Sequence, residues 1–183
     1  MSNTFWPIHS KHSGEKVAYK TLTDENLREK KILIVYFSWS GTTRQVAEYI
    51  QSCVGGDLYE IVPRDPYVGS HSEVSNLAKK ELDAEYRPPL AKALPNVKAY
   101  DVVFIGYPIW WYQEPVVVDT FIESAKLEDK YIIPFCTSGG STIEKSEARI
   151  AGFLPDAHVV KGITLSGAHN FKKIDKWLND SGF

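Results

Sequence analysis

Seven consecutive residues, Ser38-Trp39-Ser40-Gly41-Thr42-Thr43-Arg44, gather four hydroxyls and a glycine between an apolar run and a helical pattern. A helix start carries unpaired backbone N–H groups and the positive end of the helix dipole, so it attracts anions. Hydroxyls add donors without adding charge, which suits a dianionic phosphate held mainly by neutral dipoles. The plain alternative is a Ser/Thr N-cap with no ligand at all. Two other segments carry chemistry. Gly106-Tyr107-Pro108-Ile109-Trp110-Trp111-Tyr112 packs four aromatics into a loop, three of them adjacent. Flat aromatic faces of this kind cover a flat ring system, unless two of them belong to the core and one to the surface. Cys136-Thr137-Ser138-Gly139-Gly140-Ser141-Thr142 ends another apolar run with two glycines. These let a backbone approach a ligand closely; otherwise the segment is an ordinary strand-to-helix turn.

Each segment sits at a change of periodicity. Residues 31–37, 101–106 and 131–136 are near-continuous apolar runs, the pattern of strands buried on both faces. Residues 58–62 read as a half-exposed strand and 158–165 as a fifth. Pro134 is awkward in a central strand, because it has no N–H for the ladder. Helical spacing follows each run. Val46, Ile50, Cys53 and Val54 precede the breaker Gly55-Gly56, and further helices are predicted over 116–125, 142–153 and 171–178. The long connection over 63–95 carries a helix near 72–85, with Val74, Leu77, Ala78 and Leu82 on one face. Strand–helix alternation predicts an α/β three-layer sandwich, its five-stranded parallel sheet covered by helices on both faces. Such sheets bind ligands at the carboxyl ends of their strands, where the strand order reverses. Residues 1–30 read as a polar N-terminal extension with a short helix over 23–30. The domain proper is expected over 31–183.

Composition excludes several classes. A net charge of −2 over 183 residues does not suit a nucleic-acid binder. No apolar run approaches the ~20 residues that span a bilayer, and no secretory core opens the chain. Cys53 and Cys136 lie far apart without metal spacing, and His9 and His12 have no ligand pattern, so no metal is expected; His169, after the fifth strand, reads as a surface residue near a helix start rather than one at the site rim. A thiol-reduced, cytoplasmic setting is the plain reading. The pattern G-x-G-x-x-G, the lysine of G-x-x-x-x-G-K-[ST] and G-x-S-x-G are all missing. The first loop also lacks the acids of a receiver domain.

The run Tyr36-Phe37-Ser38-Trp39-Ser40-Gly41-Thr42-Thr43 resembles the phosphate loop of flavodoxins, a strand followed by [ST]-x-[ST]-G-x-[ST]. Ser38, Ser40, Gly41, Thr42 and Thr43 match it position by position, and Trp39 fills its variable site. Pro108, Ile109, Trp110 and Trp111 resemble the flavin-stacking loop. Thr137, Ser138, Gly139, Gly140 and Ser141 match the turn at the flavin's pyrimidine edge. Pro66-Tyr67, the 78–82 segment and Arg87-Pro88 resemble a bacterial flavodoxin/flavoprotein subgroup with an extra helix after the second strand. The resemblance implies strand order 2-1-3-4-5, FMN as cofactor, Trp110 as stacking residue and no catalytic side chain. It also implies electron exchange with a redox partner protein or small acceptor, by a monomer or homodimer. Electron-carrier flavodoxins are usually strongly acidic, whereas residues 31–183 hold 16 basic against 19 acidic side chains. An NAD(P)H-dependent FMN oxidoreductase acting on a quinone is therefore the alternative. A binding module that has lost the cofactor is a third reading.

Overall fold

A computed structural model describes residues 30–183. The helix expected over 23–30 falls outside the described residues except for Lys30. The strands are β1 (Ile32–Tyr36), β2 (Asp57–Glu60), β3 (Val102–Pro108), β4 (Tyr131–Thr137), β5 (His158–Val159) and β6 (Ile163–Leu165). The helices are α1 (Thr42–Val54), α2 (His71–Asp83), α3 (Val116–Ser124), α4 (Glu144–Phe153) and α5 (Phe171–Asp180). The strand order is β2-β1-β3-β4-β5, with β6 also on β4, and every pair is parallel. The sheet is the expected one.

Strand alternation divides the core in two. Leu33, Val35, Val103 and Ile105 face one way and pack with Phe121 and Ile150 of α3 and α4. Ile34, Phe104, Ile133 and Phe135 face the other way, against Val46 and Ile50 of α1 and Ile174 and Trp177 of α5. Both faces are thus buried, as the unbroken apolar runs require. At Gly106 the Phe135 ring lies so close that a Cβ would stand 2.0 Å from its Cζ, so β3 must carry a glycine at this point, two residues before its end.

The fifth strand differs from the expectation. It comes in two pieces, β5 pairing with Tyr131 and Ile132 and β6 with Phe135 to Thr137. The gap lies beside Pro134. Along β4, Tyr131 N–H bonds toward β3, and Ser138 N–H bonds toward β6. Pro134 therefore turns its missing donor to the β5–β6 side, where the ladder is interrupted and no bond is lost. That reconciles a proline with a central strand.

The 63–91 connection is a closed excursion. Arg64 N–H donates to Pro89 O and Ala91 N–H to Val62 O, so its two ends meet. Inside it α2 opens with a capping box, Ser70 and Glu73 each bonding the other's backbone. Val74 and Ala78 are buried, but Leu77 is exposed, contrary to the face assigned to it. Because β1, β3 and β4 are adjacent and parallel, the loops after them emerge side by side. The order reverses between β1 and β3, and α2 flanks that crevice.

Candidate functional site

Helix α1 begins without a side-chain cap. Its N-cap is Gly41, in the left-handed region at φ 89°, which a side chain would strain. The nearby hydroxyls are used otherwise: Ser38 Oγ accepts from Gly41 N–H at 3.1 Å, and Ser40 and Thr42 hydroxyls pair with each other at 3.2 Å. A simple Ser/Thr cap is thereby excluded. What remains is an exposed hydroxyl pair beside an uncapped helix start with no acid in its first turn. The cation of this segment, Arg44, pairs with Glu60. The group therefore offers neutral donors and a helix dipole, which fits a phosphate monoester.

Thr43 is buried, its hydroxyl 2.8 Å from that of Thr137. This bond ties the first loop to the end of β4. Ile109 N–H donates to Thr137 O at 2.9 Å, tying the second loop to the same residue. In the third loop Ser138 Oγ accepts from Gly140 N–H at 3.2 Å and from Ser141 N–H at 2.9 Å. That turn keeps α4 from starting until Glu144, two residues later than its sequence pattern suggests.

Between these loops lies a cleft of about 290 Å³, lined by Trp39, Ile109, Trp110, Trp111 and Ser141 from the predicted set. Its volume is near the lower end for small-molecule sites. Tyr112 of the aromatic run joins the walls, completed by His71, Val74 and Ser75, which were not predicted there. Tyr112 continues the visible aromatic run, and the Ser70-x-x-Glu73 box announces the α2 start that brings His71 and Ser75 here. Gly139 and Gly140 are exposed and do not line the cleft.

The aromatic residues divide their duties. Trp110 is half-buried and makes edge-on contacts with Phe37 (5.4 Å, 88°), Tyr67 (5.0 Å, 89°) and Trp39 (6.2 Å, 77°). Trp39 is in turn fixed by its indole N–H on Tyr67 O at 3.0 Å. Trp110 and Gln113 exchange two backbone bonds, N···O 2.9 and 3.2 Å, around Trp111 and Tyr112. Both turn residues have positive φ, 51° and 69°. Such a two-residue turn prefers Asn-Gly, and each bulky residue there costs about 1–2 kcal/mol. Strain of this kind concentrates at ligand sites. The turn is held down by Trp111, whose indole N–H donates to Ser75 O at 2.9 Å and whose ring lies 5.8 Å from Lys79 Nζ. Tyr112 is 65% exposed at the cleft mouth.

Behind Trp110 stands a charged network invisible in the sequence reading. A crevice shared by Tyr67, Glu81, Trp110, Trp111 and Glu114 adjoins the cleft. Tyr67 Oη donates to Glu81 at 2.6 Å, and burial raises the pKa of both groups. Glu114 and Asp119 are almost fully buried. Arg149 bridges them, Nε to Glu114 Oε1 at 2.7 Å and one terminal nitrogen to Asp119 Oδ2 at 2.5 Å. Ser146 Oγ lies 2.6 Å from Glu114 Oε2 and 2.7 Å from Tyr107 Oη. Burial, then the Glu114 charge, pushes Asp119 up to about 8. Elsewhere, Cys136 is a buried strand end, its thiol pushed up to about 12 mainly by burial. His169 is exposed on the edge of Phe171.

Among the described residues no helix is long and apolar enough to cross a membrane, and no three metal-type side chains gather. No curated protein matches this chain. The family model for flavodoxin matches residues 31–181. A candidate flavoprotein of known structure from Bacteroides eggerthii is 38% identical, with a TM-score of 0.75 over 85% of this chain and 99% of that one. A second, from Bacteroides uniformis, is 34% identical with a TM-score of 0.74, covering 81% and 97%. A Lactobacillus acidophilus flavoprotein, solved in complex with FMN, shares the fold at 24% identity and a TM-score of 0.67 over 81% and 99%. With its sheet order, its hydroxyl-rich first loop and a family match over most of its length, this chain belongs to the flavodoxin family.

Proposed function

We propose that this protein binds one FMN at the carboxyl ends of β1, β3 and β4 and uses it to pass electrons. The observation that carries this reading is the uncapped start of α1 beside the Ser40–Thr42 hydroxyl pair. An anion needs the donors that a capped helix would have consumed. The backbone of Ser40, Thr42 and Thr43, with those two hydroxyls, takes the phosphate. Ser38 holds the loop's shape through Gly41, and Thr43 holds it to Thr137. The flat ring lies in the aromatic cleft, against Trp110 and Trp111 with Trp39 and Ile109 beside it. Pro108 sets the loop's direction, and the Ser138–Ser141 turn offers its amides to the ring edge. Bound FMN supplies one- and two-electron chemistry; the chain orients it, limits water around it and tunes its potential. The counterpart is a redox protein or a small acceptor.

A second reading has its own observation. Trp111 and Tyr112 are exposed at the cleft mouth, where they form a platform for a flat quinone-type substrate. That would make the protein an NAD(P)H-dependent oxidoreductase. The purified protein should be yellow, and dithionite should bleach it. Stopped-flow mixing with NADPH separates the two readings: bleaching within milliseconds to seconds supports the reductase, and no bleaching leaves the carrier. A colourless protein that takes up no added FMN overturns both.

A further inference from the structure

Two polar side-chain atoms buried among the described residues lack a hydrogen-bond partner, and one is Asp119 Oδ1. An ionised carboxylate oxygen left without a donor in a dry interior is costly. The Glu114 carboxylate, held on the same Arg149 guanidinium, is itself an acceptor. A single proton held by the two acids, on Oδ1, removes the conflict.

Charge counting agrees. Arg149 from α4 and Arg87 from the 63–91 connection supply two positive charges here. Glu114 precedes α3, and Asp119 and Glu123 lie on it, supplying three negative ones. Arg87 is engaged mainly with Glu123, two bonds at 2.8 Å against 3.8 Å to Asp119. Arg149 is therefore left to balance both buried acids. One proton brings the group to neutrality. The remaining groups around it are neutral or committed elsewhere. Tyr107 on β3 and Ser146 on α4 are hydroxyls, and Glu147 on α4 accepts from Gly162 N–H. Across the crevice, Glu81 on α2 accepts from Tyr67.

We propose that Glu114 and Asp119 share one exchangeable proton and that this site takes up a proton when the flavin on the far side of Trp110 is reduced. The proposal rests on the FMN reading above. Glu114 directly follows the aromatic turn and lines the crevice that has Trp110 and Trp111 as its other wall. Negative charge added to the ring acts on the pair through low-dielectric packing, favouring the protonated form. The balance per reduction is two electrons from the donor and two protons from water. One proton goes to the ring and one to Asp119 Oδ1, leaving no added charge inside. Solvent reaches the pair past Arg149, whose side chain is 33% exposed. With Asp119 pushed up to about 8 before reduction, the coupling operates at and above that pH.

Spectroelectrochemical titration of the FMN-loaded protein from pH 6.5 to 9.5 tests this. Above about pH 8 the wild-type potential should fall more steeply, by about 30 mV per pH unit, the value of one extra proton per two electrons. Asp119→Asn mimics the protonated state and should lack the steep limb. Glu114→Gln removes the facing charge and should move the limb to lower pH, which keeps a test in hand if Asp119→Asn fails to fold. A wild-type slope without a break, or the same break in every variant, overturns the proposal while leaving bound flavin intact. Protein that binds no flavin overturns the functional reading itself, and the coupling with it.

Discussion

The loops after β1 and β3 emerge from adjacent strands into one crevice, yet they are built on opposite principles. The first uses neutral groups: an uncapped helix start, a left-handed glycine and hydroxyls that bond one another. The second is anchored by charge and held under strain, with Glu114 and Asp119 on Arg149 and two bulky residues at positive φ. The contrast shows where each kind of interaction is useful. The anion site proposed at the start of α1 would hold a phosphate by dipoles without burying a fixed cation, since Arg44 is turned to Glu60. Fixed charge is kept behind Trp110 instead, outside the aromatic cleft.

The largest effect is expected from the charged side. Arg149→Ala strips the cation from two buried acids and should cost about 3 kcal/mol in urea unfolding at pH 7, the low end for a broken buried pair because Arg149 is partly exposed. The first loop has no counterpart of that size. Trp110→Ala removes three edge-on ring contacts and should cost about 2 kcal/mol of stability, below the range for a fully buried ring because Trp110 is half-buried. The same change should weaken FMN by about 1–3 kcal/mol, on the scale of base–aromatic stacking; an unchanged FMN affinity would remove Trp110 from the ring site.

Acid–base titration sharpens the comparison. Asp119 has a folded pKa of about 8, above its unfolded value of 3.8. Between those values the folded state keeps a proton that the unfolded chain releases. Stability should therefore fall as pH rises from about 4 to 8, by at most about 1.4 kcal/mol per unit, and level off above 8. Asp119→Asn should lose this component in pH-dependent melts; an identical profile would place the titration elsewhere.

Smaller effects on stability belong to the first loop and the turn tip. Ser40→Ala with Thr42→Val should weaken FMN by up to about 100-fold, two charge-assisted bonds at about 1.5 kcal/mol each, and leave riboflavin unchanged, while stability moves little. Thr43 is the wrong target for this purpose, because its hydroxyl is committed to Thr137. Tyr112→Asn, a residue tolerant of positive φ, should raise stability by about 0.5–1 kcal/mol in thermal melts. A loss instead would mean that the turn carries no strain there.

The sheet was legible because buried parallel strands write continuous apolar runs, and 31–37, 101–106 and 131–136 did so. The hydroxyl loop was legible because four hydroxyls crowd one strand-to-helix junction, and the aromatic loop because adjacent bulky rings are unusual in a turn. The split of the last strand was not, since it depends on which side Pro134 faces. Nor was the Glu114–Asp119–Arg149 group, whose acids at the start of α3 meet the cation of α4 only on folding. A hint existed in Asp119, an acid inside the apolar stretch Val116-Val117-Val118-Asp119-Thr120-Phe121-Ile122. His71 and Ser75 reached the cleft through the closure of a 63–91 excursion, which no local pattern records.

The most direct test of the central claim compares FMN with riboflavin on flavin-free protein by fluorescence titration. Two charge-assisted hydrogen bonds to the phosphate, at about 1.5 kcal/mol each, predict FMN roughly 100-fold tighter. Equal dissociation constants for the two ligands would contradict a phosphate site at the start of α1.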